Sequence, residues 1–171
     1  VTYTEGKIKL GDDTYTLIDV PGTYSLEATS EAEEVAIEFI NSNPAAILCV
    51  LDATNLERNI KLGLELQKYN VPIVYALNLV DVAKRHGIEI NVGLLAQELG
   101  APVIPTVAVK EEGLKELKTE LQRVLSQSDS KCSSCPGCAS KEIDTWERAR
   151  EITARVRRRV DGKLSFLDRL G

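Results

Sequence analysis

Apolar and polar residues change period several times along this chain, and each change predicts an element. Residues 7–10 and 14–19 alternate on either side of Gly11-Asp12-Asp13, the pattern of a hairpin closed by a short turn. Residues 46–52 (Ala-Ile-Leu-Cys-Val-Leu-Asp), 71–77 (Val-Pro-Ile-Val-Tyr-Ala-Leu) and 102–106 are continuous apolar runs. Runs of that kind predict strands buried on both faces, as in a parallel sheet. Helical spacing separates them. Ser30-x-x-Glu33 reads as a capping box ahead of Ala36, Phe39 and Ile40. Residues 56–69 set Leu56, Ile60 and Leu64 four apart, and Asn91 can cap a helix carrying Val92, Leu95 and Leu99. Residues 113–126 carry Leu114, Leu117, Leu121 and Val124 at spacings of three and four. Strands alternating with helices predict an α/β domain with a mostly parallel sheet and the hairpin as an antiparallel edge.

A different pattern follows. Ser126-Gln127-Ser128-Asp129-Ser130 is a polar linker, and Cys132, Cys135 and Cys138 come after it. Trp146, Ala149, Thr153, Val156 and Val160 then repeat at three and four, which predicts one long amphipathic helix over 141–161 that needs a partner surface. The expected organisation is a domain over 1–126, a Cys-containing linker over 127–140, and a helical segment over 141–171.

Composition narrows the class. The 171 residues are 43% apolar, enough for a real core, and 27% charged with net charge −5. That balance argues against general nucleic-acid binding. No apolar run approaches the roughly 20 residues that cross a bilayer. The chain has no Met and begins at Val1, so it is expected to be a fragment. Clustered cysteines point to metal or redox chemistry rather than a structural disulfide. Three thiolates at C-x-x-C-x-x-C are one short of the usual four ligands of a Zn site or Fe–S cluster. Cys49, within an apolar strand, reads as core packing.

The chemistry-bearing motifs stand at strand ends, where open α/β sheets bind ligands. Asp19-Val20-Pro21-Gly22 is D-x-x-G: a carboxylate that can hold Mg²⁺, usually through water, and a glycine whose N–H can approach a γ-phosphate. Asn78-Leu79-Val80-Asp81 is N-x-x-D. A carboxylate at Asp81 can accept from guanine N1–H and the 2-amino group, whereas adenine would leave it unpaired. A third loop, Pro105-Thr106-Val107-Ala108-Val109-Lys110, follows the last strand, and its backbone N–H groups can reach guanine O6. Either motif alone also fits a bland strand-to-turn junction or helix cap. Order and context together predict a GTPase of the P-loop NTPase type. The phosphate cradle G-x-x-x-x-G-K-[ST] is absent from the chain, so this piece is expected to bind nucleotide poorly and to be inactive alone.

Three longer stretches carry a family resemblance: Asp19-Val-Pro-Gly-Thr-Tyr-Ser-Leu26, Leu51-Asp-Ala-Thr-Asn-Leu-Glu-Arg-Asn59 and Ala76-Leu-Asn-Leu-Val-Asp-Val-Ala83. These resemble the cytoplasmic G-domain of FeoB-type ferrous iron transporters, over residues 1 to about 126 and weakly over 164–171. The resemblance implies a GTP-binding, GTP-hydrolysing regulatory domain at the cytoplasmic face of the inner membrane, preceding a permease that admits Fe²⁺. It implies that the chain begins inside the first switch segment. Val1, Thr2 and Tyr3 then lie at the nucleotide, and the Thr2 hydroxyl joins Asp19 on Mg²⁺ in the GTP state. The first strand and phosphate loop would lie upstream; that strand is central, so without it the sheet should show a gap. Three departures stand out. Leu79 replaces the lysine many GTPases place after the Asn. Val107-Ala108 replaces the usual Ser-Ala, leaving backbone contacts. Thr23, not Gln, follows Gly22, which points to slow hydrolysis.

Two rival readings remain. A soluble ribosome- or translation-associated GTPase usually carries N-K-x-D and lacks a Cys-rich linker. A non-catalytic fragment would use Cys132, Cys135 and Cys138 as a metal-binding module. The arginines at 148, 150, 155, 157, 158 and 159 fit either a solvated helix face, with Glu151–Arg155 support, or a juxtamembrane segment meeting anionic lipid and the transporter's own membrane domain. His86 reads as an exposed loop residue and Trp146 as helix packing.

Overall fold

The computed structural model describes residues 3–23, 25–27, 29–127 and 144–160. The order is β1 (Thr4–Leu10), β2 (Asp13–Asp19), α1 (Glu31–Asn41), β3 (Ile47–Asp52), α2 (Leu56–Leu66), β4 (Ile73–Asn78), α3 (Val80–Arg85), β5 (Ile88–Ile90), α4 (Val92–Leu99), β6 (Val103–Pro105), α5 (Leu114–Gln127), α6 (Thr145–Val156) and β7 (Arg157–Arg159). The result is a mixed α/β fold with an antiparallel hairpin, a parallel sheet and a C-terminal helix. Among the described residues no helix is long and apolar enough to cross a membrane.

The parallel sheet runs β3-β4-β6, with Asp52 beside Asn78 at its C-terminal edge. Both faces of β4 are covered, which is why its sequence is continuously apolar. Ile73, Tyr75 and Leu77 face a core built from Leu56 and Ile60 of α2, Leu95 and Leu99 of α4, and Ala149, Ile152 and Val156 of α6. Val74 and Ala76 face the other way, onto Leu117 and Leu121 of α5. Cys49 belongs to the first core, and burial pushes its thiol up to about 12. Gly63 on α2 has a packing reason: a Cβ there would stand 2.9 Å from the Tyr75 ring. The close approach lets the Tyr75 hydroxyl donate to the Gly63 carbonyl at 3.1 Å.

The expected antiparallel hairpin forms, and its ladder is separate from that of the parallel sheet. Among the described residues β1 and β2 pair only with each other, as a separate two-stranded sheet. Leu10, with Ile8 and Tyr15, packs on α5 in the same cluster as Val74 and Ala76. Side-chain burial against one helix thus joins the hairpin to the parallel sheet. Val50 on β3 is 56% exposed, and Leu17 and Ile18 on β2 are 46% and 37% exposed.

The capping box is half formed. Ser30 Oγ accepts from Glu33 N at 3.3 Å, but Glu33 turns to Thr29 and Ser25 rather than back to Ser30 N. The last helix is shorter than its periodicity predicts. It stops at Val156, and Arg157–Arg159 pair antiparallel with Ile88–Ile90 as a third small sheet. Val156 O accepts from Asn91 N at 2.8 Å, so the chain leaves the helix where a strand partner is at hand. Glu151 pairs with Arg148 rather than Arg155; Arg155 and Arg148 both reach Glu98 on α4, at 2.9 and 2.8 Å. Asn91 caps α4 as its position suggests, accepting from Leu94 N.

Candidate functional site

Asn78 and Asp81 flank a left-handed turn. Leu79 has φ 62° and ψ 29°, a conformation that costs a residue bearing a Cβ about 1–2 kcal/mol. Asn78 Oδ1 accepts from Ala108 N at 3.0 Å and from Thr106 Oγ1 at 3.3 Å. Its amide nitrogen is thereby left as a donor. The Asn78 carbonyl accepts from Ala53 N at 3.0 Å, which joins the loop after β3 to the same place. In that loop Asp52 Oδ1 accepts from both Thr54 N and Thr54 Oγ1. Three loops at the C-terminal edge of one sheet therefore converge on Asn78.

Asp81 sits in the first turn of α3. Its Oδ2 meets Lys110 Nζ at 3.3 Å and Arg85 Nη2 at 3.7 Å. Its Oδ1 is shut off from solvent and, among the described residues, makes no hydrogen bond of good geometry. Burial works to raise the carboxyl, but the Lys110 hydrogen bond, the nearby Val82 backbone N–H and the Lys110 and Arg85 charges outweigh it and hold it below the usual range. An ionised carboxylate with one orphaned oxygen costs free energy until a donor reaches it. Guanine offers two adjacent N–H donors on one edge and an acceptor nitrogen for the Asn78 amide.

Asp19 ends β2 opposite Thr4 at the start of β1. Its carboxylate is exposed and makes no side-chain contact among the described residues, which suits an oxygen ligand for Mg²⁺. Val20 and Pro21 are half-buried and Gly22 is exposed. A Cβ at Gly22 would meet nothing within 4 Å among the described residues, so none of them requires glycine there. Asp19–Gly22 shares no hydrogen bond or ion pair with Asn78 or Asp81. Tyr3 packs edge-on to Phe39, ring centres 4.7 Å apart, which fixes the start of β1 against α1. Val1 and Thr2 lie outside the described residues, as do Cys132, Cys135 and Cys138. Val80 packs against the main core, Val107 is buried, and Ala108 contributes its backbone N–H. Among the described residues no cluster of three metal-ligating side chains occurs.

Beyond Gly22 a charged network holds the loop, and sequence reasoning missed it. Glu33 accepts from Thr29 N (2.9 Å), Thr29 Oγ1 (2.6 Å) and Ser25 Oγ (2.7 Å). These bonds, the Thr29 hydroxyl first, bring its carboxyl down to about 2 against the opposing effect of burial. Glu65 Oε2 accepts from Leu26 N at 2.9 Å, and Lys61 bridges Glu65 (2.7 Å) and Glu27 (3.3 Å). Lys61 is 4% exposed, unusual for a lysine. Burial disfavours its ammonium, yet Glu65 and Glu27 together raise its pKa. The available signal was an oppositely charged i,i+4 pair, Lys61 and Glu65, set among the apolar positions of α2.

The profile of the family described as Ferrous iron transport protein B matches residues 1–121. The Fe(2+) transporter FeoB of Escherichia coli strain K12 is 41% identical over 124 residues, which is 70% of this chain and 16% of that protein. That of Salmonella typhimurium strain LT2 is 40% identical over the same length. The chain thus spans 16% of the length of these curated relatives. Among solved structures, the FeoB G-domain from Methanococcus jannaschii superposes with TM-score 0.69 at 38% identity, covering 71% of this chain and 79% of that one. The cytosolic domain of T. maritima FeoB in its GMPPNP form gives TM-score 0.69 at 32% identity, covering 77% and 51%.

Proposed function

The chain belongs to the ferrous iron transport protein B family, and from that premise we propose that it is a guanine-nucleotide-binding domain that reads the base through Asn78 and Asp81. The observation that carries this is the Asp81 carboxylate: one oxygen anchored by cations, the other buried and unpartnered, beside an Asn78 whose acceptor is spent and whose donor is not. Guanine satisfies both. Leu79, Val80, Val107 and Ala108 form the walls and backbone of the same two loops. Val20, Pro21 and Gly22 would approach the terminal phosphate, and the family resemblance adds Val1, Thr2 and Tyr3 to the nucleotide contacts. Relatives solved in GMPPNP and GDP forms support a nucleotide ligand.

Thr2 and Asp19 are the residues that would hold Mg²⁺, which would neutralise phosphate charge when bound. The reaction is hydrolysis of GTP to GDP and phosphate. Loss of the terminal phosphate frees the segment after Asp19. That segment is tied through Glu65 and Lys61 to α2, which packs on α6, so nucleotide state reaches the C-terminal segment. In the whole protein residues 1–126 would form the GTPase domain, 127–140 the linker, and 141–171 would lead from the cytoplasmic side toward a membrane domain that admits Fe²⁺.

Substitution of Asp81 by Asn in the full-length protein tests the base assignment. Guanine preference should be lost and xanthosine diphosphate should gain affinity; unchanged GDP selectivity overturns it. This 171-residue chain alone should bind GDP more weakly than micromolar, because phosphate-loop N–H groups supply much of the affinity.

One partner reading rests on β7. Arg157, Arg158 and Arg159 are exposed and form no ion pair among the described residues. They would meet anionic lipid, each adding about 1 kcal/mol near the surface. Binding to phosphatidylserine vesicles should fall in a triple Ala variant; equal binding rejects it.

A further inference from the structure

Position 79, next to the base-reading Asn, carries Leu where many GTPases carry lysine. A lysine nevertheless stands at this carboxylate. Lys110 comes from the loop after β6, and its Nζ is 3.3 Å from Asp81 Oδ2. The same loop sends Thr106 Oγ1 and Ala108 N to Asn78 Oδ1. Lys110 closes a short helical turn, Ala108–Lys110, whose end is fixed by the left-handed Glu111. That turn is braced at its base by a backbone bridge between Val107 and Glu112. One loop therefore grips both members of the N-x-x-D pair, Asn78 through its amide oxygen and Asp81 through Oδ2.

We infer that Lys110 is a positioning residue for guanine, holding Asp81 Oδ2 so that the carboxylate keeps one rotation when Oδ1, closed to solvent without nucleotide, is uncovered to the N1–H and 2-amino donors. The inference rests on the guanine reading of Asp81 above. A carboxylate free to rotate about its Cβ–Cγ bond presents its two oxygens to a planar donor edge only part of the time. Anchoring Oδ2 removes that rotation, and Oδ2 keeps acceptor capacity for a second donor. Arg85 contributes less: it lies 3.7 Å away on an exposed arm of the same helix. The role is one of discrimination. Inosine diphosphate lacks the 2-amino group and needs one carboxylate oxygen, so it gains little from the pinning.

The test uses the full-length protein with GDP and inosine diphosphate, titrated into the parent and the variants Lys110→Ala, Lys110→Glu and Lys110→Arg. For an exposed ion pair the expected loss of GDP affinity in Lys110→Ala is about two- to fivefold. Lys110→Glu should lose more. In both, the ratio of GDP to inosine diphosphate affinity should fall, and Lys110→Arg should restore it. A loss shared equally by the two nucleotides, or no loss, overturns the inference, because loosened loop packing would not separate them. Asp81→Asn run alongside keeps the two readings apart. If it abolishes guanine preference while Lys110→Ala leaves the ratio unchanged, Lys110 alone is dismissed. If Asp81→Asn has no effect, the guanine assignment falls with it.

Discussion

The ammonium of Lys61 sits 5.3 Å from the centre of the Trp146 ring, joining α2 to α6 at the point where Lys61 also holds Glu65 and Glu27. One buried cation thus touches the loop that follows Asp19–Gly22, its own helix and the C-terminal helix. Lys61→Met would leave Glu65 buried with one remaining donor, Leu26 N. Breaking a buried pair from one side costs about 3 kcal/mol. Urea denaturation should show that loss, and emission from the sole tryptophan, Trp146, should shift with it.

The double variant Lys61→Met/Glu65→Leu separates stability from tethering. Replacing both charges with apolar groups is often neutral, so its stability should return to within about 1 kcal/mol of the parent. Leu26 N would still lose its acceptor. Hydrogen exchange at that amide should accelerate in the double variant while the global unfolding midpoint recovers.

Acid should release the loop at residues 25–29. Glu33 falls from an ordinary 4.5 to about 2 in the folded protein, held by Thr29 and Ser25. A depressed carboxyl stabilises fully above pH 4.5, and the contribution is lost as pH falls toward about 2. Amide exchange at Thr29, monitored between those limits, should speed up as pH drops relative to the intrinsic rate. In Glu33→Gln the acceleration should already be present at neutral pH.

Gly113→Ala should be severe. Gly113 has φ +78°, and an added Cβ would stand 2.2 Å from the Pro105 carbonyl oxygen and 3.2 Å from Thr106 Cα. Both partners are backbone at the entry to the Thr106–Lys110 loop, so they cannot rotate away. The expected cost is at least about 2 kcal/mol, read as a lowered thermal midpoint. Guanine affinity should drop with it as Thr106 and Ala108 are displaced from Asn78.

Val50 offers a simpler check. It is 56% exposed on β3, whose partner among the described residues lies on one side only. Such an edge templates association. Burying a valine side chain is worth about 1.5 kcal/mol, so Val50→Lys should raise the concentration at which this chain self-associates about tenfold. Light scattering across a dilution series measures it.

Much of this was legible because short-range chemistry set it. The apolar run at 71–77 became β4 because burial on both faces leaves no polar alternation to misread, and the run at 46–52 became β3 beside it although Val50 stays exposed. Asn91 capped α4 because its partner is three residues away. The rest depends on residues far apart in sequence. Lys61 meets Trp146 only through tertiary packing; its i,i+4 partner Glu65 is marked locally, but the contact with Trp146 is not. Glu33 abandoned the reciprocal half of its capping box because Thr29 and Ser25 offered three donors. β5 and β7 are three residues each, too short to show a period, and β7 interrupts a helical repeat because Ile88–Ile90 supplies a ladder. The motif residues were found because they sit at strand ends; Lys110 was passed over because a lone exposed lysine carries no pattern.

The packing of the hairpin on α5 has a mechanical consequence. Directional backbone bonds hold Asn78 and its neighbouring loops, and they resist displacement in every direction. The hairpin bearing Asp19 rests on Leu10, Ile8 and Tyr15 against Leu117 and Leu121, and apolar contacts lose little when surfaces slide by a fraction of an ångström. On the proposed reading, the half that would grip the base is held by directional bonds, while the half that would meet the phosphate rests on apolar packing along α5. A domain divided in this way can register the loss of one phosphate while still holding the same base.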